Sequence, residues 1–300
     1  MQNKLLNFKF LLLSFFLILQ TSTLHADSKP SSLSQTINPY LQANLEQSLK
    51  QLGFSEATQQ KKLAITLIDI TDVNHPRVAS VNGNTMMYAA SLPKIAILLG
   101  AFERIEQGDL TLDDEFRSLL TQMIRFSSNK AATEVFNRVG KQYLADLLQS
   151  PRFHLYDKAN NGGLWVGKEY GKGGAWKRDP LHNLSHGATS FQAARFYYLL
   201  ETGQLVSPGL TKEMKEILSK PGISHKFVKG LKAIHPKAEI YRKSGSWKQW
   251  HADSALIEHD GHSYIAVALA ENPRGGQWLS ELIVALDDLI VQPAPLAFLN

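Results

Sequence analysis

The chain has 300 residues with ten histidines, no cysteine and a formal net charge of +5 at pH 7. Lack of cysteine excludes both a disulfide framework and a lipid-bearing cysteine, so the fold has to be held by its core. The basic bias is weak and no cluster of Lys and Arg with interleaved aromatics stands out, which argues against a nucleic-acid partner and leaves anionic small molecules as the better match.

Lys4 and Lys9 precede an apolar run from Phe10 to Leu19 and a polar stretch that ends at Ala26. This is the layout of a signal peptide over residues 1–26. The run is too short to span a bilayer comfortably, so the expectation is a periplasmic or secreted protein with no stable membrane insertion after cleavage. Asp27 to Asn38, rich in Ser, Thr and Pro, reads as a linker, and residues 39–300 as a single catalytic domain.

Leu41, Leu45, Leu49 and Leu52 recur at helical spacing. Lys62 to Ile70 and Arg77 to Val81 are extended runs about the turn-forming Thr71 to Pro76, the pattern of a hairpin. The period then changes, and Ile95, Leu98, Leu99, Phe102 and Ile105 form a helix stripe that Gly108 ends. Helical segments follow around Leu112 to Arg125, Asn129 to Val139, Gln192 to Leu205 and Lys212 to Ser219. Between them, Tyr156 to His186 lacks periodicity and reads as a long loop, a length usually tied to function. Strands return at Glu239 to Lys243, Ala252 to Glu258 and Ser263 to Glu271, and Leu279 to Val291 supplies a last helix. The order predicts an α+β fold: an antiparallel sheet with helices against it and a helical insert over about residues 91–220.

Three short motifs carry chemistry. Ser91-Leu92-Pro93-Lys94 sits where the strand-like Met86 to Ala90 gives way to a helix. Proline belongs in a helix's first turn, so Ser91 falls at the amino end, where free N–H groups favour an alkoxide or oxyanion. Residues three apart on a helix share a face, which puts the Lys94 amine within reach of the Ser91 hydroxyl. Serine needs such a base, and lysine qualifies only when neutral. The pattern alone occurs about once by chance in a chain this long, and Ser127-Ser128-Asn129-Lys130 matches it too. Context favours Ser91. Ser127 and Asn129, read as Ser-x-Asn, instead offer a hydroxyl for proton relay and an amide for the substrate or Lys94, or simply a helix cap. Lys243-Ser244-Gly245-Ser246 ends an apolar strand; the ammonium and hydroxyl can grip a carboxylate, and the Ser246 N–H can complete an oxyanion hole with that of Ser91.

In this order, the three motifs resemble those of the penicillin-binding protein and class A β-lactamase superfamily, over nearly the whole mature chain. The resemblance implies an α/β/α sandwich with a five-stranded antiparallel sheet and an acyl-enzyme on Ser91 of a monomeric hydrolase. The implied substrate is a small β-lactam or a peptidoglycan-like molecule, and no cofactor is implied. β-Lactam hydrolysis is the leading expectation. A cell-envelope D-alanyl peptidase, transpeptidase or esterase, or a receptor that acylates without turnover, is the alternative.

The sequence departs from that pattern in three places. The Ω-loop Glu-x-x-Leu-Asn signature, whose Glu activates the deacylating water, is missing. Glu169 is the substitute, unless it is a surface acid, and Arg178 with Asp179 are expected to brace the loop. Ser128 stands where the family has aspartate, and the segment between Lys94 and Ser127 is short, which would open one wall of the site. Trp165, Tyr170, Trp176, Trp247 and Trp250 either line the groove or pack. His182 and His186 lie in an irregular loop with no third ligand evident, so no metal site is expected. His251 and Asp253 leave room for a Ser-His-Asp triad, which spacing alone never proves.

Overall fold

The computed structural model describes residue 33 and residues 36–292. The expected signal peptide lies outside the described residues, as does most of the expected linker. In chain order the elements are α1 (Pro39–Gln51), α2 (Ser55–Gln59), β1 (Leu63–Asp69), β2 (Arg77–Val81) and β3 (Met87–Tyr88). Then come α3 (Lys94–Glu106), α4 (Asp114–Arg125), α5 (Asn129–Val139), α6 (Lys141–Gln149), β4 (Tyr156–Asp157), β5 (Gly162–Gly163), β6 (Trp165–Val166) and β7 (His186–Ala188). The chain continues through α7 (Ser190–Glu201), α8 (Pro208–Leu218), α9 (Phe227–Ile234), β8 (Glu239–Trp247), β9 (Trp250–His259), β10 (His262–Glu271) and α10 (Gly275–Val291).

β2, β1, β10, β9 and β8, in that order, form one antiparallel sheet. The early hairpin occupies one edge, and β8 starts the late three-strand run at the other. β1 is buried at all seven positions because the sheet is covered on both sides. Leu63, Ile65 and Leu67 face a core built with α1, α9 and α10, while Ala64 and Ile68 face a second core with α3 and α7. That alternation is the period of two of a strand, and it makes each side chain choose a layer.

Helix ends follow the local chemistry of side-chain capping. Asn38 caps α1 by accepting from the Leu41 N–H, with Pro39 at the first position. Asp113 and Thr189 cap α4 and α7 in the same way. The later part of the expected linker is docked rather than free: Leu33 is buried and Ile37 bridges Val78.

Three helices escaped the periodicity reading, namely α2, α6 and α9. Each is short, and α6 and α9 depend on packing. α6, for example, buries Leu144, Ala145 and Leu148. The stretch read as one long loop carries two-residue strands. β6 pairs β7 and β7 pairs β3, a small sheet that leads straight into the turn bearing Ser91.

Candidate active site

Ser91 lies in the turn between β3 and α3. The helix proper begins at Lys94 with Pro93 as its cap residue, so Pro93 precedes the first turn instead of lying within it. Ser91 is therefore three residues ahead of the first helical residue, its carbonyl accepting from the Lys94 N–H at 3.3 Å. The residue before it, Ala90, has a left-handed φ of 49°, as does Ser127 at 58°. Such backbone is costly for non-glycine residues and persists only where surroundings enforce it. Both outliers flank or form the motifs that the sequence singled out.

The Lys94 side chain is fully buried. Its amine donates to the Ser127 carbonyl at 2.7 Å and the Asn129 Oδ1 at 2.9 Å, with longer contacts at 3.4 Å to Ser127 Oγ and the Ser128 carbonyl. Among the described residues none of these bonds goes to the Ser91 hydroxyl. The short-range expectation of a direct Lys94 to Ser91 bond gives way to the connection after α4, which brings three carbonyl acceptors to the amine. Burial pushes Lys94 down to about 7. A fraction is thus neutral at physiological pH, which is what a base requires.

The Lys243 amine donates to Ser127 Oγ at 3.0 Å and to the Ser244 carbonyl at 2.7 Å. Burial, then the charge of Lys94, holds Lys243 well below the ordinary lysine value. Ser127 Oγ consequently stands between two amines. A hydroxyl so placed can pass a proton from one side to the other. Asn129 serves Lys94, and the helix cap that Ser-x-Asn suggested is supplied by the middle residue. Ser128 Oγ accepts from the Ala131 N–H at 3.2 Å and caps α5. A carboxylate would cap equally well there, so its replacement by Ser128 spares the site.

Gly245 has a reason other than ligand access. A Cβ on it would lie 2.2 Å from the Ala89 carbonyl oxygen and 2.8 Å from the Ser91 nitrogen. The glycine lets β8 press against the turn that bears Ser91, which brings Ser246 beside it. Ser244 is buried, whereas Ser246 is exposed at the cleft mouth. Ser246 Oγ accepts from the Lys226 amine at 2.8 Å, and Lys226 also donates to the carbonyls of Gly245 at 2.5 Å and Ala252 at 3.0 Å. Sequence reasoning passed over Lys226, because a lone lysine before an apolar helix looks like a surface residue.

A cleft of about 380 Å³ opens over these groups, lined by Ser91, Asn129, Glu169, Tyr170, His186, Ser246 and Trp247 among others. Glu169 reaches the lining, but its carboxylate pairs with Lys141 at 2.5 Å. Hydrogen bonds from Lys141 and Asn137 hold it below the usual range for glutamate. This is the surface acid of the alternative reading. The adjacent residue occupies the key place: the Lys94 amine sits 4.5 Å from the Tyr170 ring centroid, and the Tyr170 hydroxyl donates to the Ala90 carbonyl at 3.2 Å. Tyr170 also packs on His186, whose pKa burial lowers to about 4. His186 Nε2 bonds the Lys168 carbonyl at 3.0 Å, so both rings are fixed in the wall.

Of the other aromatics, Trp247 lines the cleft and is 57% exposed, whereas Trp165 is core. Asp179 does brace the loop, accepting from the Tyr156 hydroxyl and from the N–H groups of Leu181, His182 and Leu184. His251 and Asp253 do not form a triad. Asp253 is locked to Arg242, and both ring nitrogens of His251 are buried without a partner.

Known proteins share this fold. A model of the β-lactamase enzyme family matches residues 44–117 and 115–292. Among solved structures, a PBP-A mutant in an acyl-enzyme complex with penicillin G aligns at a TM-score of 0.64 and 17% identity, covering 81% of this chain and 95% of that one. A β-lactamase from Sphaerobacter thermophilus aligns at 0.65 and 14% identity, covering 84% and 98%. A variant of the last common ancestor of Gram-negative class A β-lactamases aligns at 0.64 and 18% identity, covering 83% and 98%. No curated protein sequence gives a significant match. With an α+β fold of this topology and a family match over most of its length, the chain belongs to the β-lactamase enzyme family.

Proposed function

We propose that the protein is an exported serine hydrolase in which Ser91 is acylated by β-lactams and in which release of the acyl group is slow. The observation that carries this reading is the set of groups around Ser127: a buried amine near neutrality on one side, a second on the other, and Ser91 at the adjoining turn. Neutral Lys94 removes the Ser91 proton, through a small rotation of its terminal bonds or through one water. The Ser91 oxygen attacks the lactam carbonyl, and the N–H groups of Ser91 and Ser246 hold the oxyanion. As the C–N bond breaks, Ser127 delivers a proton to the leaving nitrogen and is resupplied from the lysines. Lys226, Lys243 and Arg242 share the carboxylate of Asp253, so basic groups outnumber it in the floor of the site, which suits a carboxylate-bearing substrate.

Slow release is favoured by Tyr170. The family's deacylating glutamate has no counterpart over Lys94, since a neutral phenol is there and Glu169 is engaged by Lys141. Penicillin exposure followed by mass spectrometry tests the reading. An adduct on Ser91 is expected, absent in Ser91→Ala and persisting through many minutes in the unaltered protein. Glu169→Gln leaves the release rate unchanged, whereas Tyr170→Glu accelerates it by about 100-fold, the low end for an added general base. Rapid nitrocefin turnover with loss of release in Glu169→Gln would restore Glu169 as the base. No adduct with any β-lactam would point to the peptidase or esterase alternative.

A further inference from the structure

Far from the cleft, three elements bring together side chains that catalysis does not use. His235 follows α9, His259 ends β9 at the opposite end from Trp250, and Asp287 lies on the buried face of α10. One ligating atom from each lies within 4.8 Å of the others. We propose that His235, His259 and Asp287 bind a divalent transition-metal ion, with zinc the best match to two imidazoles and a carboxylate.

Three features point to an ion rather than to a hydrogen-bonded cluster. Asp287 is 1% exposed, and its Oδ2 has no hydrogen bond although His235 Nε2 is only 2.9 Å away. The ring nitrogen is near the oxygen but not directed at it, as with two atoms that share a third partner. The other carboxylate oxygen is already served, by the Tyr264 hydroxyl at 2.6 Å and His259 Nε2 at 2.6 Å. Secondly, the far nitrogens of both rings face one carboxylate. Asp260 Oδ2 lies 3.2 Å from His259 Nδ1 and 3.4 Å from His235 Nδ1. A carboxylate behind a ligating histidine is the usual arrangement that orients the ring and sharpens its basicity. Thirdly, two carboxylates, Asp260 and Asp287, face this pair of rings, surroundings that favour a bound cation.

The rings stack 4.1 Å apart. Zinc would require both Nε2 atoms and Asp287 Oδ2 at roughly 2.0–2.2 Å, so His259 Nε2 would exchange its hydrogen bond to Oδ1 for the ion. His235, 26% exposed, leaves a fourth position open to water.

Untagged protein stripped with a chelator and titrated with zinc ions is the test, read by calorimetry and by thermal unfolding. One ion per chain and a rise in Tm are expected. Cobalt in place of zinc gives visible absorption bands of four-coordinate geometry. His259→Ala and His235→Gln each abolish stoichiometric binding, and Asp260→Asn weakens it by about 10–100-fold. His235→Gln lies at the surface and keeps the fold even if His259→Ala does not. No saturable zinc binding by the folded protein overturns the proposal, and so does undiminished binding in His235→Gln.

Discussion

Lys94 illustrates how one buried residue sets a pH profile. Its ordinary pKa of 10.5 falls to about 7, chiefly because the ammonium loses its water. The neutral form is the base, so the acylation rate constant is expected to rise with pH through about 7 and level off above it. The same shift has a stability consequence. Between pH 7 and 10.5 the unfolded chain holds a proton on this amine that the folded chain does not, so its contribution to stability rises with pH across that window. Lys94→Arg cannot deprotonate, so it should lose acylation by about 10²–10⁴-fold on the plateau above pH 7 and lose the rise through pH 7, measured by stopped-flow with nitrocefin. A pH profile in Lys94→Arg that parallels the unaltered protein would assign the base elsewhere.

At the scale of elements, the site depends on how closely β8 approaches the turn before α3. Gly245→Ala places a methyl group 2.2 Å from the Ala89 carbonyl oxygen, backbone that cannot swing aside. The strand must shift away from Ser91 and carry the Ser246 N–H with it. Such overpacking costs about 1–3 kcal/mol, and acylation should fall by more than the stability loss explains. Thermal unfolding beside adduct formation separates the two effects. Element identity was largely legible in the chain, since helices such as Asn129–Val139 and strands such as Arg77–Val81 have clear periods. β8 runs on beyond Lys243 to Trp247, because pairing with β9 extends it past the point where its apolar pattern stops. The sequence leaves Tyr170 as an aromatic that lines the groove or packs, since nothing in Gly-Lys-Glu-Tyr-Gly distinguishes the residue that faces Lys94 from the one that faces Lys141.

For the molecule as a whole, the cationic floor has to be stabilised from beneath. Arg242 and Asp253 form a two-pronged buried pair on neighbouring strands, with both bonds at 2.7 Å. Arg242 reaches the carbonyls of Ile223 and His225, and Asp253 accepts from the Phe227 N–H at 3.1 Å. The pair thus ties the sheet to the segment that carries Lys226. Removing one partner of such a pair strands the other charge, so Asp253→Ala should cost about 3–5 kcal/mol in denaturant unfolding. A loss under 1 kcal/mol would mean that water reaches Arg242 and that the floor is more open than its burial indicates.

Local order along the chain, by itself, determined the α+β architecture and the placing of Ser91 at a strand-to-helix turn, because strand and helix periods and helix-end chemistry are short-range properties. Tertiary structure alone decided which group each side chain meets. Lys94 turns to the connection after α4, Ser128 becomes the cap, Gly245 gives way to the turn backbone, and Tyr170 rather than Glu169 covers the amine. The same holds for His235, His259 and Asp287, which are far apart in sequence and meet only where α9, β9 and α10 converge. Contacts of that kind depend on directions in space that burial and packing impose, and no spacing along a chain encodes them.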